Sequence, residues 1–243
     1  MKITATGDNL FQLNHLRFVN CYLVREDDGF TLIDASWPAS QAGPIIQCAN
    51  KLGLPIVRIV LTHAHVDHVG ALDTLHEALP SVPVSISERD ARFLKGDMSL
   101  DPSEPPTKLR GGYPVCKTEP ALLLHDGDRV GSLEAIATPG HTPGHLAFLD
   151  TRDRVLIAGD AFQTQGGIAV SGVVKPLFPL PAMSTWNKGL CLESARKLLT
   201  LRPSLLAVGH GRMLSNPPEA MARAIEVMER TLARENGKQA SAV

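Results

Sequence analysis

The six-residue segment His63-Ala-His-Val-Asp-His68 contains four side chains of the types that bind metal ions. Alternate residues of an extended chain point in the same direction, so His63 and His65 can share one ion while Asp67 and His68 turn toward a second position. The segment directly follows the β-branched apolar run at residues 56–61, which is typical of a buried strand. Functional groups of α/β proteins gather at the carboxyl ends of such strands, and the sequence therefore predicts a metal site here.

Three more candidate ligands follow predicted strands further along the chain. His141 lies in the turn Thr138-Pro-Gly-His-Thr-Pro-Gly-His145, Asp160 in Ala-Gly-Asp, and His210 in Gly-His-Gly. The neighbouring glycines allow the backbone to approach an ion closely. Each residue alone is a weak signal, because a lone histidine after a strand is more often an ordinary polar residue than a ligand. Together with the histidine-rich segment they predict one shared site.

The elements that must position these residues alternate between strands and helices. Apolar runs predict strands at residues 18–24, 30–33, 56–61, 82–86, 121–124, 133–138, 146–149, 154–158 and 205–208, and helical periodicity predicts helices at 38–52, 69–79, 185–201 and 219–234. The two halves of this pattern indicate an α/β fold in which two packed sheets lie between outer helices. We expect a single domain over residues 1–243 with a frayed tail at 234–243, and long loops at 95–118 and 162–183.

The composition excludes several classes of function. The chain has 243 residues and a formal net charge of −1, so no global positive field attracts nucleic acid or an anionic membrane. The first residues lack the apolar stretch of a signal peptide, and no apolar run is long enough for a membrane span. Four widely spaced cysteines predict reduced thiols rather than a disulfide framework. We therefore expect a cytoplasmic protein with a small-molecule substrate and no nucleic-acid or membrane partner.

The order of these motifs, preceded by Leu32-Ile33-Asp34, resembles the metallo-β-lactamase-fold hydrolase superfamily. The similarity is closest to the dinuclear HxHxDH hydrolases, such as glyoxalase II and the lactonases. It implies an αββα four-layer sandwich and two divalent metal ions per chain, with zinc expected and iron, manganese or cobalt as alternatives. Matched residue by residue, it implies one ion held by three histidines, a second held by three other side chains, and a carboxylate that bridges both: His63, His65 and His141; Asp67, His68 and His210; and Asp160.

The resemblance implies a metal-dependent hydrolase in which a metal-bridging hydroxide attacks the carbonyl of an ester, lactone or thioester, with Asp67 passing a proton. True zinc β-lactamases lack the bridging aspartate, so Asp160 leaves a β-lactamase-like amide hydrolase as a lesser alternative. Homoserine-lactone lactonases carry a tyrosine where this chain has Gln163, and residues 217–243 lack the basic and aromatic patch with which glyoxalase II binds glutathione. A mono-iron persulfide dioxygenase is the alternative from another class of enzyme.

Residues near the motifs have more ordinary interpretations. Asp34 and His145 match family positions that do not bind the ion, and we expect them to orient the ligands. Packing roles are expected for the aromatic residues Tyr22, Trp37 and Trp186, while Tyr113 either packs or faces substrate.

The second long loop, residues 162–183, follows the predicted bridging aspartate, is rich in apolar side chains and carries a single charge, Lys175. Two interpretations of this composition stand. The loop packs against its own domain or in a homodimer interface, or it forms an apolar wall that holds the acyl or aryl group of a substrate.

Overall fold

The chain folds around two large β-sheets. The computed structural model describes residues 1–240, and the side chains of residues 1–237. The first sheet contains seven strands whose spatial order is their sequence order: β1 (Lys2–Thr6), β2 (Leu10–His15), β3 (Val19–Glu26), β4 (Gly29–Ile33), β5 (Ile56–Val60), β6 (Val84–Ser87) and β7 (Leu122–Leu124). The second contains β8 (Arg129–Val130), β9 (Leu133–Ala137), β10 (Leu146–Asp150), β11 (Val155–Ile157), β14 (Leu205–Ala207) and β15 (Leu214–Ser215), in the order β15-β14-β11-β10-β9-β8.

The remaining strands and the helices connect and cover these sheets. A separate two-stranded ribbon pairs β12 (Phe162–Gln163) with β13 (Ala169–Val170). The α-helices within residues 1–240 are α1 (Ala42–Lys51), α2 (Val66–Val69), α3 (Leu72–Ala78), α4 (Glu88–Leu94), α5 (Leu180–Met183), α6 (Lys188–Thr200) and α7 (Pro218–Ala240). None of these helices combines the length and apolar character needed to span a bilayer.

Three layers of buried side chains hold the sheets and helices together. The inner faces of the sheets meet in a core that includes Tyr22 and Ile33 from the first sheet and Phe148 and Ile157 from the second. Residues of α1, α3 and α4 pack on the outer face of the first sheet, and residues of α6 and α7 pack on the outer face of the second. The architecture is the αββα four-layer sandwich, as the sequence predicted.

The central strands are mostly apolar because both of their faces are covered. Along β3, Tyr22 and Val24 point into the core between the sheets, whereas Cys21 and Leu23 point toward the helices. β10 alternates in the same way between the inner core and the core beneath α6 and α7. Double burial removes the polar alternation of a half-exposed strand, which explains the continuous apolar runs in the sequence.

The two sheets are joined at the edge where the predicted ligand segments begin. β4, β5 and β6 run parallel to one another, and so do β11 and β14, so their carboxyl ends lie together within each sheet. The carbonyl of Thr62, just after β5, accepts the N–H of Leu146 in β10 (2.8 Å). The N–H of Asn20 in β3 donates to the carbonyl of Gly209, just after β14 (2.8 Å).

The expectation of one long loop at residues 162–183 is wrong, and most of the predicted tail is described as helix. Residues 162–183 contain β12, β13 and α5 instead of an uninterrupted loop. Helix α7 continues to Ala240, so the tail expected to be frayed from residue 234 is helical up to that point, while 241–243 lie outside the described residues. This stretch contains Glu, Lys, Gln and Ala, which favour helix, and Glu235 pairs with Lys188 of α6.

The structure also contains elements that the sequence analysis omitted. Polar residues interrupt the apolar pattern of β1 and β2, and α4 is only seven residues long. Short or half-polar elements give weak periodicity, so tertiary packing rather than local pattern determines them.

The hydroxyl of Tyr22 connects the two sheets beneath the ligand segments. It donates to the carbonyl of Val208 (2.7 Å) and accepts the N–H of the same residue (3.0 Å), just after β14. Both residues are buried. This pair of bonds fixes the backbone that leads to His210.

We expect Tyr22→Phe to lower the free energy of unfolding by about 1–3 kcal/mol, because the ring keeps its packing while a buried N–H loses its acceptor. Urea denaturation of the metal-free protein measures this loss. Tyr113→Phe is the matched control, since the Tyr113 hydroxyl has no hydrogen-bond partner among the described residues. Equal losses in the two variants would contradict a specific role for the Tyr22 hydroxyl.

Candidate metal centre

The backbone conformation of residues 62–68 explains how neighbouring side chains reach one place. The chain is extended at His65 (φ −72°, ψ 149°), and α2 begins at the next residue. His63 and His65 therefore lie on the same side, with ring centroids 4.8 Å apart. The helical turn brings His68 back against His63, at a centroid distance of 4.1 Å.

The structure brings all seven predicted ligands together, although they come from four separate segments. In each of three groups, one donor atom per residue lies within 4.8 Å of the others: His63, His65 and His141; His63, His68 and Asp160; Asp67, His68 and His210. The first and third groups are the two sets that the resemblance implies. Asp160 lies between them, with Oδ1 3.4 Å from His68 Nε2 and Oδ2 3.3 Å from His141 Nε2.

Unpartnered buried atoms in the cluster fit a bound cation. His63 Nε2, His68 Nε2 and Asp160 Oδ1 are buried and have no hydrogen-bond partner within the described part of the chain. Buried polar atoms are nearly always paired, so three orphans in one cluster require an explanation. Imidazole nitrogens and carboxylate oxygens are donors that divalent transition metals accept, and such an ion would satisfy all three atoms.

The outer nitrogens of the imidazoles are held by fixed acceptors. Three rings have an oxygen acceptor within 3 Å of the outer nitrogen: Arg110 O for His65 Nε2 (2.9 Å), Asp34 Oδ2 for His68 Nδ1 (2.7 Å) and Phe18 O for His210 Nδ1 (2.6 Å). A carbonyl or carboxylate oxygen only accepts, so the outer nitrogen carries the proton. In the neutral ring the inner nitrogen is then a lone-pair donor facing the cluster.

Hydroxyl groups hold the outer nitrogens of the other two rings, those of His63 and His141, in the same way. Thr62 Oγ1 donates to the Asp34 carboxylate (2.9 Å), so it accepts from His63 Nδ1 (2.9 Å). Thr185 Oγ1 donates to the carbonyl of Pro181 (2.7 Å), so it accepts from His141 Nδ1 (3.3 Å). In their neutral, metal-binding form all five imidazoles therefore direct a lone pair inward.

Asp34 and His145 support the cluster without entering it, as the sequence analysis expected. Asp34 accepts the Thr62 N–H (2.7 Å) as well as the His68 proton, and its backbone lies in the left-handed region (φ 63°). His145 Nδ1 lies 2.8 Å from Thr138 Oγ1, and its Nε2 accepts the N–H of Asp160 (3.0 Å). Asp34 therefore orients the ring of His68, and His145 orients the backbone of Asp160.

The glycine before His210 is required by the close approach of the two sheets. A Cβ at Gly209 would collide with Asp160 Oδ1 and would lie 2.7 Å from His68 Cε1. Any larger residue there would displace the central carboxylate. The first glycine of the Gly-His-Gly motif is therefore explained by the lack of space at the cluster.

Asp90 is a supporting residue that the sequence analysis missed. Its fully buried carboxylate accepts the N–H of Ala64 (3.0 Å), the Thr142 hydroxyl (2.7 Å) and the N–H of Gly144 (2.7 Å). It thus ties the loop of His63 and His65 to the loop of His141. Burial raises the pKa of Asp90 to about 6 in spite of these bonds, which favour the carboxylate. Its position in the first turn of α4, after the N-cap Ser87, was the only local signal.

Burial and charge shift the pKa values of the cluster in opposite directions. Burial holds the pKa of His63 well below its usual range and lowers that of His65 to about 4. Burial also disfavours the charged form of His68, but Asp34 and the neighbouring carboxylates outweigh it and raise its pKa well above the usual value. The first group is therefore uncharged at neutral pH, which is the form that binds metal.

The first long loop, residues 95–118, is more than the surface insertion that we expected. The carbonyl of Arg110 holds His65, and the carbonyl of Gly112 accepts the N–H of Val66 (2.8 Å). A Cβ at Gly111 would collide with the ring of His65. The loop thus packs on the cluster and closes one side of it.

A cavity of about 240 Å³ opens onto the cluster. Five of the seven predicted ligands line it, together with apolar residues that include Phe18, Trp37, Leu180 and Pro181. The packing role expected for Trp37 is wrong, since its side chain remains 46% exposed at this cavity. Trp186 and Tyr22 are buried as expected.

Tyr113 packs and does not line the cavity. Its ring lies 4.6 Å from those of both His65 and Phe93. Of the two roles expected for Tyr113, the structure favours packing.

Proteins of known sequence are similar to this chain over most of its length. A model of the metallo-beta-lactamase superfamily matches residues 15–210, a range that includes all seven predicted ligands. The uncharacterized protein YobT of Bacillus subtilis is 56% identical over 209 residues, which cover 86% of this chain and 89% of that protein. The hydroxyacylglutathione hydrolase GloC of Haemophilus influenzae is 30% identical over 203 residues, which cover 79% of this chain and 85% of that protein.

A solved structure is similar in both sequence and fold. The crystal structure of TTHA1623 in a di-iron-bound form is 28% identical, with a TM-score of 0.63. The superposition covers 85% of this chain and 94% of that chain.

We expect Asp90→Asn to weaken both the fold and the centre, because an amide has one acceptor oxygen where the carboxylate accepts from two loops. The free energy of unfolding should fall by about 1–3 kcal/mol, and the affinity for metal by about 10–100-fold. Urea denaturation and competition with a chelating dye measure the two effects. Glu88→Gln, an exposed change on the same helix, is the control. Metal affinity equal to that of the control would remove Asp90 from the support of the centre.

Proposed function

The chain belongs to the metallo-beta-lactamase superfamily, and from that membership we propose that it is a dinuclear metal-dependent hydrolase acting on the carbonyl of an ester, lactone or thioester. The observation that carries the proposal is the pair of three-residue donor groups with Asp160 between them. GloC, the relative named as a hydrolase of hydroxyacylglutathione, supports acyl transfer to water as the type of reaction.

The residues present suit two ions. One ion would be held by His63, His65 and His141. The other would be held by Asp67, His68 and His210, and Asp160 would reach both ions. We propose zinc, and the di-iron form of TTHA1623 supports iron as the first alternative. Two bound divalent ions supply a hydroxide nucleophile at neutral pH and polarise the carbonyl of the substrate.

Asp67 is proposed to carry the proton. Its side chain lines the cavity and is 22% exposed, whereas that of Asp160 is 3% exposed. Its Oδ2 lies 3.3 Å from His210 Nε2, which holds the carboxylate at the rim of the cluster. Asp67 accepts a proton from the attacking water and returns it to the leaving oxygen or sulfur.

The group of Asp67, His68 and His210 favours a hydrolase over the persulfide dioxygenase. One iron bound by the three histidines of the first group and Asp160 would leave this second group without a function. His68 Nε2 would also remain a buried atom without a partner.

We expect about two divalent ions per chain in the purified protein, because each donor group needs a cation for its inward lone pairs. Elemental analysis, paired with a protein concentration from amino-acid analysis, gives the count. One iron per chain together with oxygen consumption in the presence of a persulfide would replace the hydrolase by the dioxygenase.

Asp160→Ala should abolish most hydrolysis of a panel of aryl esters, lactones and thioesters and remove at least one ion, since one carboxylate serves both groups. His145→Ala should keep both ions at saturating metal and weaken their affinity by about 10–100-fold, because it only orients Asp160. Metal titration and initial rates are measured for both variants. Wild-type metal content and turnover in Asp160→Ala would show that the ligands are wrongly assigned.

A further inference from the structure

The cavity beside the donor cluster is apolar where it is not made of ligands. Phe18 precedes β3, Trp37 follows β4, and Leu180 and Pro181 begin α5. Trp37 and Leu180 remain 46% and 43% exposed, so each keeps apolar surface available to a ligand. These residues come from segments far apart in sequence but meet at one opening.

Away from the donor cluster, the cavity offers no positive charge to a substrate. No Lys or Arg side chain of residues 1–237 lines it, and its only ionisable groups are the predicted ligands, with the carboxylates Asp67 and Asp160. A carboxylate or phosphate at the end of the acyl group that points away from the donor cluster would lose its hydration without gaining a cation. An uncharged apolar group is favoured instead, as in most ligand pockets.

The apolar wall is attached to the metal centre itself. Thr185 Oγ1 connects α5 to the cluster, because it donates to the carbonyl of Pro181 (2.7 Å) and accepts from His141 Nδ1 (3.3 Å). The N–H of Trp186 donates to the carbonyl of His141 (3.1 Å). Leu180 is therefore held at a fixed distance from a predicted ligand rather than on a free loop.

Phe178 supports the opposite side of the cavity. Its ring contacts those of Phe18 and His210, at centroid distances of 5.7 and 5.2 Å, and its side chain is buried. Phe178 does not line the cavity, so it positions Phe18 and is not itself a contact for substrate.

We propose that the enzyme is selective for substrates with an uncharged, apolar acyl group, which binds between Phe18, Trp37 and Leu180 while the carbonyl faces the metal centre. This inference rests on the proposed hydrolase function. It assigns substrate selection to α5 and the two aromatic residues, and it excludes acyl groups that end in a carboxylate.

The first experiment uses the metal-loaded full chain and nitrophenyl esters of straight-chain acids from two to eight carbons. The value of kcat/KM should rise by up to about fourfold per methylene until the chain outgrows the cavity. The half-ester of adipic acid, which has the length of the hexanoate but ends in a carboxylate, should react at least tenfold more slowly. In Leu180→Ala, kcat/KM should change little with chain length. Leu177→Ala should keep the wild-type slope, because Leu177 is 86% exposed and lies outside the cavity lining.

The second experiment requires neither metal nor turnover. Straight-chain alcohols from ethanol to octanol are titrated into the metal-free protein, and binding is followed by tryptophan fluorescence, since Trp37 lies at the cavity and Trp186 is buried. The dissociation constant should fall with chain length in the wild type and in Leu177→Ala, and much less in Leu180→Ala.

The two proposals fail in different ways. Hydrolysis of every ester at equal efficiency, or equal rates for the hexanoate and the adipate half-ester, would overturn the selectivity and leave the hydrolase intact. Absence of hydrolysis throughout, with chain-length-dependent binding of alcohols, would overturn the hydrolase and support the apolar site. Binding of alcohols that is independent of length would overturn the apolar site.

Discussion

Five imidazoles turn one nitrogen into one small volume because the outer nitrogen of each ring is already engaged by a fixed acceptor. Without an ion this arrangement is unfavourable, since the buried groups lose hydration while His63 Nε2, His68 Nε2 and Asp160 Oδ1 have no hydrogen-bond partner among the described residues. The free energy of the rest of the fold must compensate for it. A bound cation would remove the deficit, and metal affinity and folding stability would then be linked.

The geometry of the centre therefore depends directly on how the two sheets pack together. His63, His65 and His68 extend from the first sheet, whereas Asp160 and His210 extend from the second. Hydrogen bonds from Asn20 and Tyr22 to the backbone after β14 fix the distance between the sheets at this edge. Asp90 does the same for the two ligand loops. A shift of either sheet would separate the donor groups.

The parts that the sequence predicted are those whose determinants are local. His63 and His65 are two residues apart after a mostly β-branched strand, and β3 and β10 bury apolar side chains on both faces, so motif and strand were visible together. Asp90 was not visible, because it matters only once residues 64, 142 and 144 meet around it. The exposure of Trp37 and the helical turn at Leu180 likewise depend on tertiary contacts rather than on periodicity.

The division between predicted and unpredicted residues also separates the residues of the proposed reaction from those of the proposed substrate selection. The donor residues follow central strands, where a substitution disturbs both sheets at once. Few other residue types are therefore tolerated at these positions. Trp37 and Leu180 lie outside both sheets and keep solvent-exposed surface, so side chains of other sizes fit there without repacking the core. Yet α5 is bound to His141 through Thr185, so its position relative to the centre is preserved when its surface changes. A fold built in this way can keep its metal chemistry while the apolar wall adapts to a different acyl group.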